Sequence, residues 1–329
     1  MILCGLPDTS LISRIANVDD LIIKRAARIL NSGGLVAFPT ETVYGLGADA
    51  TNDRAVAKIF EAKERPHFNP LIVHVTDIWT AQRFAYFDDR AAYIAKAFWP
   101  GPLTIVLPRR EDCKLSRLVS AGMDTVALRI PSNTFAQTLL SRAECPIAAP
   151  SANRSGEISP TQADHVANSL PEPHHGGPEL ILDGGPCDVG LESTVVDLSE
   201  PVPYLLRPGS ITHETLSGLL SDLIIADHIS DKPKSPGMMQ RHYAPKTPLK
   251  INSTSALSEE ATLGFGDTIK TATLNLSPSA DLTEAAGNLF SMLRHLDDGQ
   301  FLAINVAPIP NEGLGRAIND RLRRAANNT

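Results

Sequence analysis

The sequence predicts an α/β fold, a mixed sheet covered by helices, followed by a second and smaller α/β unit. Three observations carry this reading. Short apolar runs of strand length alternate with segments whose apolar residues recur at helical spacing. Several connections between the predicted strands are too short for a helical crossover, which makes the sheet mixed rather than purely parallel. The pattern stops at a proline-rich polar segment, residues 231–238, and restarts beyond Lys246. At 329 residues the chain is about twice the usual single-domain length, enough for two domains with separate cores.

In residues 18–30, Val18, Leu21, Ile22, Ala26, Ile29 and Leu30 share one side of a helix that Asn31-Ser32-Gly33-Gly34 stops. Residues 35–38 form a short buried strand, and 53–62 a second helix that starts near Asn52 and Asp53. Further strands are predicted at 71–75, 103–107, 126–130, 147–149 and 194–198, with helices at 91–98, 134–142 and 161–169 between them. A helix-like stretch at 212–220 follows Arg207-Pro208-Gly209. The second unit reads as a strand, a turn at Gly264-Phe265-Gly266, a strand at 273–276, a helix at 281–296, a strand at 302–306 and a helix at 313–326. No internal repeat relates the two units.

Apolar residues make up 43% and charged residues 20%, without runs of like charge, so the chain is globular rather than disordered. Lys and Arg number 30 against 37 Asp and Glu, a net charge of −7 that repels a nucleic-acid backbone unless positive charge is concentrated locally. Cys4, Cys113, Cys145 and Cys187 lack Cys-x-x-Cys spacing, and we read them as reduced thiols of a cytoplasmic protein. The N-terminus has no basic stretch followed by a long apolar run, and no segment reaches the roughly 18 apolar residues of a membrane span.

The candidate chemistry gathers between Pro39 and Val75. Thr40, Thr42, Tyr44, Gly45 and Gly47 follow a predicted strand, where glycines admit a ligand close to the backbone and hydroxyls donate to its oxygens; an ordinary strand-to-helix turn is the plain alternative. Pro66 biases Arg65 towards extended backbone, which would turn Lys63 and Arg65 to one side as a fork and a point charge for a polyphosphate. The Walker order is absent. Ser151 and Ser193 lack a nucleophile-elbow setting and read as hydrogen-bond donors. Arg129 and Arg207 sit between apolar neighbours at strand ends, where an internal carboxylate is the usual partner. His74 lies in an apolar run and fits a core histidine as well as a ligand contact. His174-His175 points only weakly to a metal. Arg316, Arg321, Arg323 and Arg324 read as a solvated helix face rather than an RNA patch.

Pro39-Thr40-Glu41-Thr42-Val43-Tyr44-Gly45-Leu46-Gly47, Lys63-x-Arg65-Pro66, Asn69-Pro70-Leu71, Ser151-Ala152-Asn153 and Ser193-Thr194-Val195-Val196 together resemble the YrdC family of threonylcarbamoyl-AMP synthases, in order as well as content. Ser235-Pro236-Gly237-Met238 with Arg241-His242-Tyr243-Ala244-Pro245 resembles the linker of its long form, and the block from Gly313 to Leu322 the end of its C-terminal domain. The resemblance implies a YrdC-like twisted mixed sheet with a concave basic site over residues 1–210, a linker crossing the active-site opening over 211–246, and a small Rossmann-like α/β domain over 247–329. It implies synthesis of threonylcarbamoyl-AMP and pyrophosphate from L-threonine, bicarbonate or carbon dioxide, and ATP, for modification of tRNA by a separate transferase; contact with tRNA is not required. Carried over by motif position, Thr42, His74, Arg129, Ala149 and Ser193 surround threonine. Arg65, Asn69, Thr125, Ser151, Ser159, Arg207 and Tyr243 surround ATP, with Lys63 in the same cationic site. Magnesium is expected on the phosphates, held mostly by phosphate and water, since no compact acidic cluster offers a protein site.

Two rivals remain at this stage. A carbamoyl-transfer enzyme of the hydrogenase-maturation type would add acylphosphatase and zinc-finger modules, and the paired cysteines of such a finger are missing. A non-catalytic RNA-binding module would need a basic surface that the net charge does not favour.

Overall fold

The computed structural model describes residues 14–226, 242–255 and 257–326; the proline-rich segment at 231–238, Arg241 and Cys4 lie outside them. Asp19 opens the first helix by accepting from the Ile22 amide at 2.7 Å, and Asn52 opens the second by accepting from Arg54 and Ala55. Both are side-chain caps of otherwise orphan amides. The N-terminal unit contains β1 (Ile15–Asn17), α1 (Asp20–Asn31), β2 (Val36–Phe38), β3 (Gly45–Asp49), α2 (Asp53–Lys63), β4 (Ile72–His74), α3 (Ile78–Gln82), α4 (Asp89–Phe98), β5 (Leu103–Pro108), β6 (Thr125–Arg129), α5 (Thr134–Ala143), β7 (Ile147–Ala148), α6 (Ala163–Ser169), β8 (Leu180–Asp183), β9 (Thr194–Asp197) and β10 (Tyr204–Arg207). After α7 (His213–Ser217), β11 (Ile224–Ile225) joins the same mixed sheet beside β10. The order across it is β1-β8-β2-β3-β7-β4-β6-β5-β9-β10-β11. The sheet therefore continues past residue 210, through Ile225.

The second unit has a parallel sheet in the order β12-β15-β13-β14, formed by β12 (Leu249–Lys250), β13 (Ala261–Gly264), β14 (Leu274–Asn275) and β15 (Ile304–Val306), with helices α8 (Leu282–Leu296) and α9 (Leu314–Ala326). The two units share apolar core. Val43, Ile158 and Leu191 of the first cluster with Tyr243 and with Leu289 and Phe290 of α8. Gly190 permits this approach: it has φ +73°, and a Cβ there would lie 2.6 Å from the Gly287 Cα.

The expected turn over Thr40 to Gly47 is instead the loop and second strand of a hairpin, with Phe38 opposite Gly45 and Val36 opposite Gly47. Gly47 serves packing: a Cβ would fall 2.8 Å from the Phe38 ring and 2.9 Å from Ile147. The strands β1, β8, β10 and β11 are not among those predicted from the sequence. The arginine-rich C-terminal helix also differs from expectation. Arg321 and Arg324 are buried, Arg316 is half-buried and pairs with Glu214 at 3.0 Å, and Arg323 is exposed.

Candidate active site

A cavity forms where β4, β6 and β10 end and β3 and β9 begin, roofed by the segment at His242 and Tyr243. Thr42, Arg65, His74, Arg129, Ala149, Ser151, Ser193, Arg207 and Tyr243, all expected from the sequence, line it together with Thr40, Glu192 and His242. Its enclosed free space is about 40 Å³, within a concavity of about 510 Å³ that opens to solvent. A more spacious groove of about 890 Å³ runs elsewhere past Thr76, Asp77, Arg83, Arg110 and Lys114. That groove is lined by solvent-exposed groups such as the Arg110–Asp112 pair at 3.0 Å, whereas the smaller cavity has buried, convergent polar groups, the mark of a built site.

Each wall follows from local sequence. The Thr40 hydroxyl accepts from the Thr42 and Val43 amides at 3.1 and 3.2 Å and donates to the Val43 carbonyl at 2.7 Å, fixing the hairpin loop. Parallel pairing of β4 with β6 sets His74 beside Arg129. Arg129 donates to Glu41 Oε1 at 2.7 Å, to the Thr42 hydroxyl at 2.9 Å and to the Gly101 carbonyl at 3.3 Å. Glu41 accepts at its other oxygen from the Ser132 and Asn133 amides at 3.1 and 3.4 Å. Burial pushes the Glu41 carboxyl up, but Arg129 more than offsets this and holds it below its ordinary value. The internal carboxylate expected for Arg129 is thus Glu41.

At the other end, Arg207 on β10 donates to the Ser193 carbonyl and hydroxyl, each at 3.0 Å, and that hydroxyl also meets Thr104 at 2.7 Å. Lys63 and Arg65 do not share one extended segment. Lys63 is the last residue of α2, and Glu64, with φ 52°, turns the chain through the left-handed region before Arg65. This turn still leaves both side chains buried near the site. Lys63 Nζ donates to the carbonyls of Ser151 and Asn153, and Arg65 to those of Asn69 and Pro70 at 3.1 and 2.8 Å. Burial, then the Arg65 charge, holds the Lys63 amine well below its usual range. Burial, then Arg207, likewise works against the Arg65 charge. An incoming anion relieves both penalties.

Not every expected residue reaches the cavity. Lys63 and Asn69 stand behind Arg65 and Ser151, outside the lining. Ser159 also lies behind the wall, its hydroxyl donating to Glu192 Oε1. Thr125 begins β6, opposite Pro108, at the other end of the strand from Arg129, roughly 13 Å away at strand rise. The cavity does not include it.

Several buried polar atoms around the cavity have no hydrogen-bond partner among the described residues: His74 Nδ1, His242 Nδ1 and the Tyr243 hydroxyl. Such groups are costly unless a ligand meets them. Burial, then Arg129, pushes His74 down to about 3, so its ring is neutral. Tyr243 is itself in the left-handed region, φ 62°, and stacks on Phe290 with ring centroids 5.5 Å apart.

Glu41, Glu192 and Arg321 carry weight the sequence reading did not assign them. Glu41 sits inside a motif block and Glu192 directly precedes one. Arg321 falls in the apolar stripe of α9 with Ala317, Ile318 and Ala325, a helical-spacing signal that marks a buried arginine. Among the described residues, no group of three or more His, Cys, Asp or Glu is placed to hold a metal, and no helix is long and apolar enough to cross a membrane. Cys113, Cys145 and Cys187 are free thiols.

Comparison with known proteins follows the two units of the chain. Residues 28–209 match the Sua5/YciO/YrdC family profile, described as Telomere recombination, and residues 211–327 match the profile of the threonylcarbamoyl-AMP synthase C-terminal domain. The chain is 40% identical to the threonylcarbamoyl-AMP synthase of Bacillus subtilis, over 94% of each chain. It is 41% identical to that of Pyrococcus abyssi, over 94% of this chain and 95% of the other. The solved structure of P. abyssi Sua5 complexed with L-threonine superposes with TM-score 0.86 at 39% identity, over 95% of this chain and 97% of that one. Escherichia coli YciO, at 23% identity and TM-score 0.51 over 59% of this chain and 94% of that one, shares the fold of the N-terminal unit.

Proposed function

The chain belongs to the threonylcarbamoyl-AMP synthase family in its two-domain form, and from that premise we infer how its cavity makes threonylcarbamoyl-AMP. Threonine would occupy the end formed by Thr42, His74, Arg129, Ala149 and Ser193, its carboxylate facing Arg129. ATP would take the end bounded by Arg65, Ser151, Arg207 and Tyr243, with Lys63, Asn69 and Ser159 supporting that wall and Thr125 the farthest from it. The observation that supports this best is the sorting of charge: Glu41 engages Arg129 at one end, while Lys63 and Arg65 donate to main-chain carbonyls at the other, where an incoming anion would restore the charge that burial works against.

In the reaction we infer, the threonine amine adds to carbon dioxide, free or from bicarbonate, and loses a proton to give a carbamate. A carbamate oxygen then attacks the α-phosphorus of ATP, the bond to the β-phosphate oxygen breaks, and pyrophosphate leaves. Two anions must meet, so the protein's part is positioning and charge neutralisation. Neutral His74 beside Arg129 offers hydrogen bonding without adding charge. Magnesium belongs to the ATP substrate: Glu41 and Glu192 are committed to Arg129 and Arg321, leaving phosphate and water to ligate it. We place this chemistry in the cytoplasm, where tRNA and reduced thiols occur, with a separate transferase consuming the product. The test is mass-spectrometric detection of threonylcarbamoyl-AMP from purified protein, ATP, L-threonine and bicarbonate. Pyrophosphate release with threonine omitted would overturn the mechanism.

A further inference from the structure

The deepest charge cluster outside the substrate walls belongs to the C-terminal unit. Arg321 of α9 is completely buried, yet its partners lie at the cavity of the other unit. Its Nε donates to Glu192 Oε2 at 2.9 Å and its Nη1 to the Pro208 carbonyl at 2.9 Å. Its guanidinium also sits 5.3 Å from the centre of the Tyr243 ring, within reach of a cation–π contact. Glu192 and Tyr243 both line the cavity, and Pro208 follows Arg207 directly. Asp320 accepts from Arg321 at 2.8 Å and from Arg324 at 3.1 Å, setting the guanidinium's place on the helix. The Arg324 carbonyl accepts from the His242 amide at 3.3 Å, and the Gly156 carbonyl from the Ala244 amide at 2.8 Å, so the roof segment is tied to both units.

A simple tether between domains needs no such arrangement. A charged fork fully removed from water is expensive, and apolar residues would hold two domains together at least as well. What the fork provides is direction. One planar group reaches a carboxylate, a carbonyl and an aromatic face at once, a combination a lysine cannot reproduce.

We propose that Arg321 is a positioning residue for the nucleotide. It acts through Glu192 and Tyr243, so that the ATP end of the cavity takes its working shape only with α9 docked. This rests on reading the cavity as the ATP-using synthase site. Glu192 in turn takes the Ser159 hydroxyl, so Arg321 fixes the wall behind the nucleotide as well as its roof.

The experiment compares the full-length protein with Arg321→Lys, Arg321→Met and the charge-balanced double variant Glu192→Gln/Arg321→Gln, which removes the Glu192 charge together with its partner while Asp320 keeps Arg324, in case the single Met variant fails to fold. ATP affinity is measured by calorimetry, the KM of each substrate by pyrophosphate release, and amide exchange over residues 242–248 by mass spectrometry. The expected result is a loss of ATP affinity of at least about tenfold with the threonine KM within about twofold. Lysine should recover only part, exchange over 242–248 should speed up, and Arg321→Met should have a smaller effect in a Tyr243→Leu background. A folded variant with unchanged ATP affinity, or with both substrates weakened alike, would overturn the assignment. If the unsubstituted protein binds ATP but forms no threonylcarbamoyl-AMP, the synthase reading fails, while the ATP affinities still decide the role of Arg321.

Discussion

Replacing Glu41 by glutamine tests the threonine end most sharply, because the change keeps shape and removes only charge and acceptor capacity. The Glu41 carboxylate uses both oxygens: one accepts from Arg129 at 2.7 Å, the other from the Ser132 and Asn133 amides at 3.1 and 3.4 Å. A glutamine has one oxygen and one NH2 group. Whichever way the amide turns, a donor faces either Arg129 or the two amides, and one side loses its partner. The lost charge-assisted hydrogen bond is worth about 1.5–3 kcal/mol, roughly ten- to a hundredfold if it falls on substrate binding. The pair is almost fully buried, with side-chain exposures of 4% and 7%, so solvent cannot make up the difference. We therefore expect Glu41→Gln to raise the threonine KM at least about tenfold with a much smaller change in the ATP KM, measured by initial rates of pyrophosphate release with each substrate varied. A folded Glu41→Gln protein with an unchanged threonine KM would refute the claim that Glu41 aims Arg129 at the substrate.

At the ATP end, Arg65→Ala should cut turnover about a hundredfold or more, as expected for one preorganised anion contact, with Arg65→Lys recovering only part; near-normal turnover in a folded alanine variant would make the arginine structural. Tyr243→Ala should be destabilising, because Tyr243 is buried and stacked on Phe290; a loss of about 3–5 kcal/mol in urea unfolding is expected. Tyr243→Phe removes only a hydroxyl that has no partner among the described residues, so it should keep stability and lose ATP affinity; unchanged ATP affinity would show that the hydroxyl does not touch the nucleotide. His74, pushed down from 6.5 to about 3, stays neutral when folded but takes a proton below 6.5 when unfolded. Its stability contribution is therefore complete above 6.5 and lost as pH falls towards 3, at about 1.4 kcal/mol per pH unit. His74→Gln should flatten the acid limb of a stability–pH curve by that increment, and parallel limbs would refute the buried neutral ring.

Local signals made most central strands and the helices other than α3 legible. Asn52 and Asp53 marked the start of α2, and Gly33 and Gly34 the end of α1, because capping and left-handed backbone depend on a few side chains in sequence. The family resemblance named Arg65, His74, Arg129, Ser193, Arg207 and Tyr243, and all six line the cavity. What failed was information held in pairing. Gly45 to Asp49 reads as a turn until β2 lies beside it, and β11 is a two-residue strand that exists only because β10 offers an edge. Lys63 and Arg65 were grouped correctly for a wrong reason: extended backbone was expected, whereas a helix end and the left-handed Glu64 bury them.

The misplaced C-terminal arginines point to how the site is closed. A chain with net charge −7 gathers Lys63, Arg65, Arg129, Arg207 and Arg321 around one small space, an arrangement that mutual repulsion would open unless something offset it. Two carboxylates do so unevenly. Glu41 answers Arg129 within the first unit, while Glu192, which the first unit supplies, is answered by Arg321 from the second. Without α9, Glu192 would stand free beside Arg207 and compete with the phosphates for its charge. Docking of the C-terminal unit therefore does more than cover apolar surface at Val43, Ile158 and Leu191. On the proposed assignment, Arg321, by binding Glu192 from behind, would draw the carboxylate's charge away from the nucleotide end and leave the remaining cations to the substrate, which would give this two-domain form a physical reason to keep its second domain packed against the first.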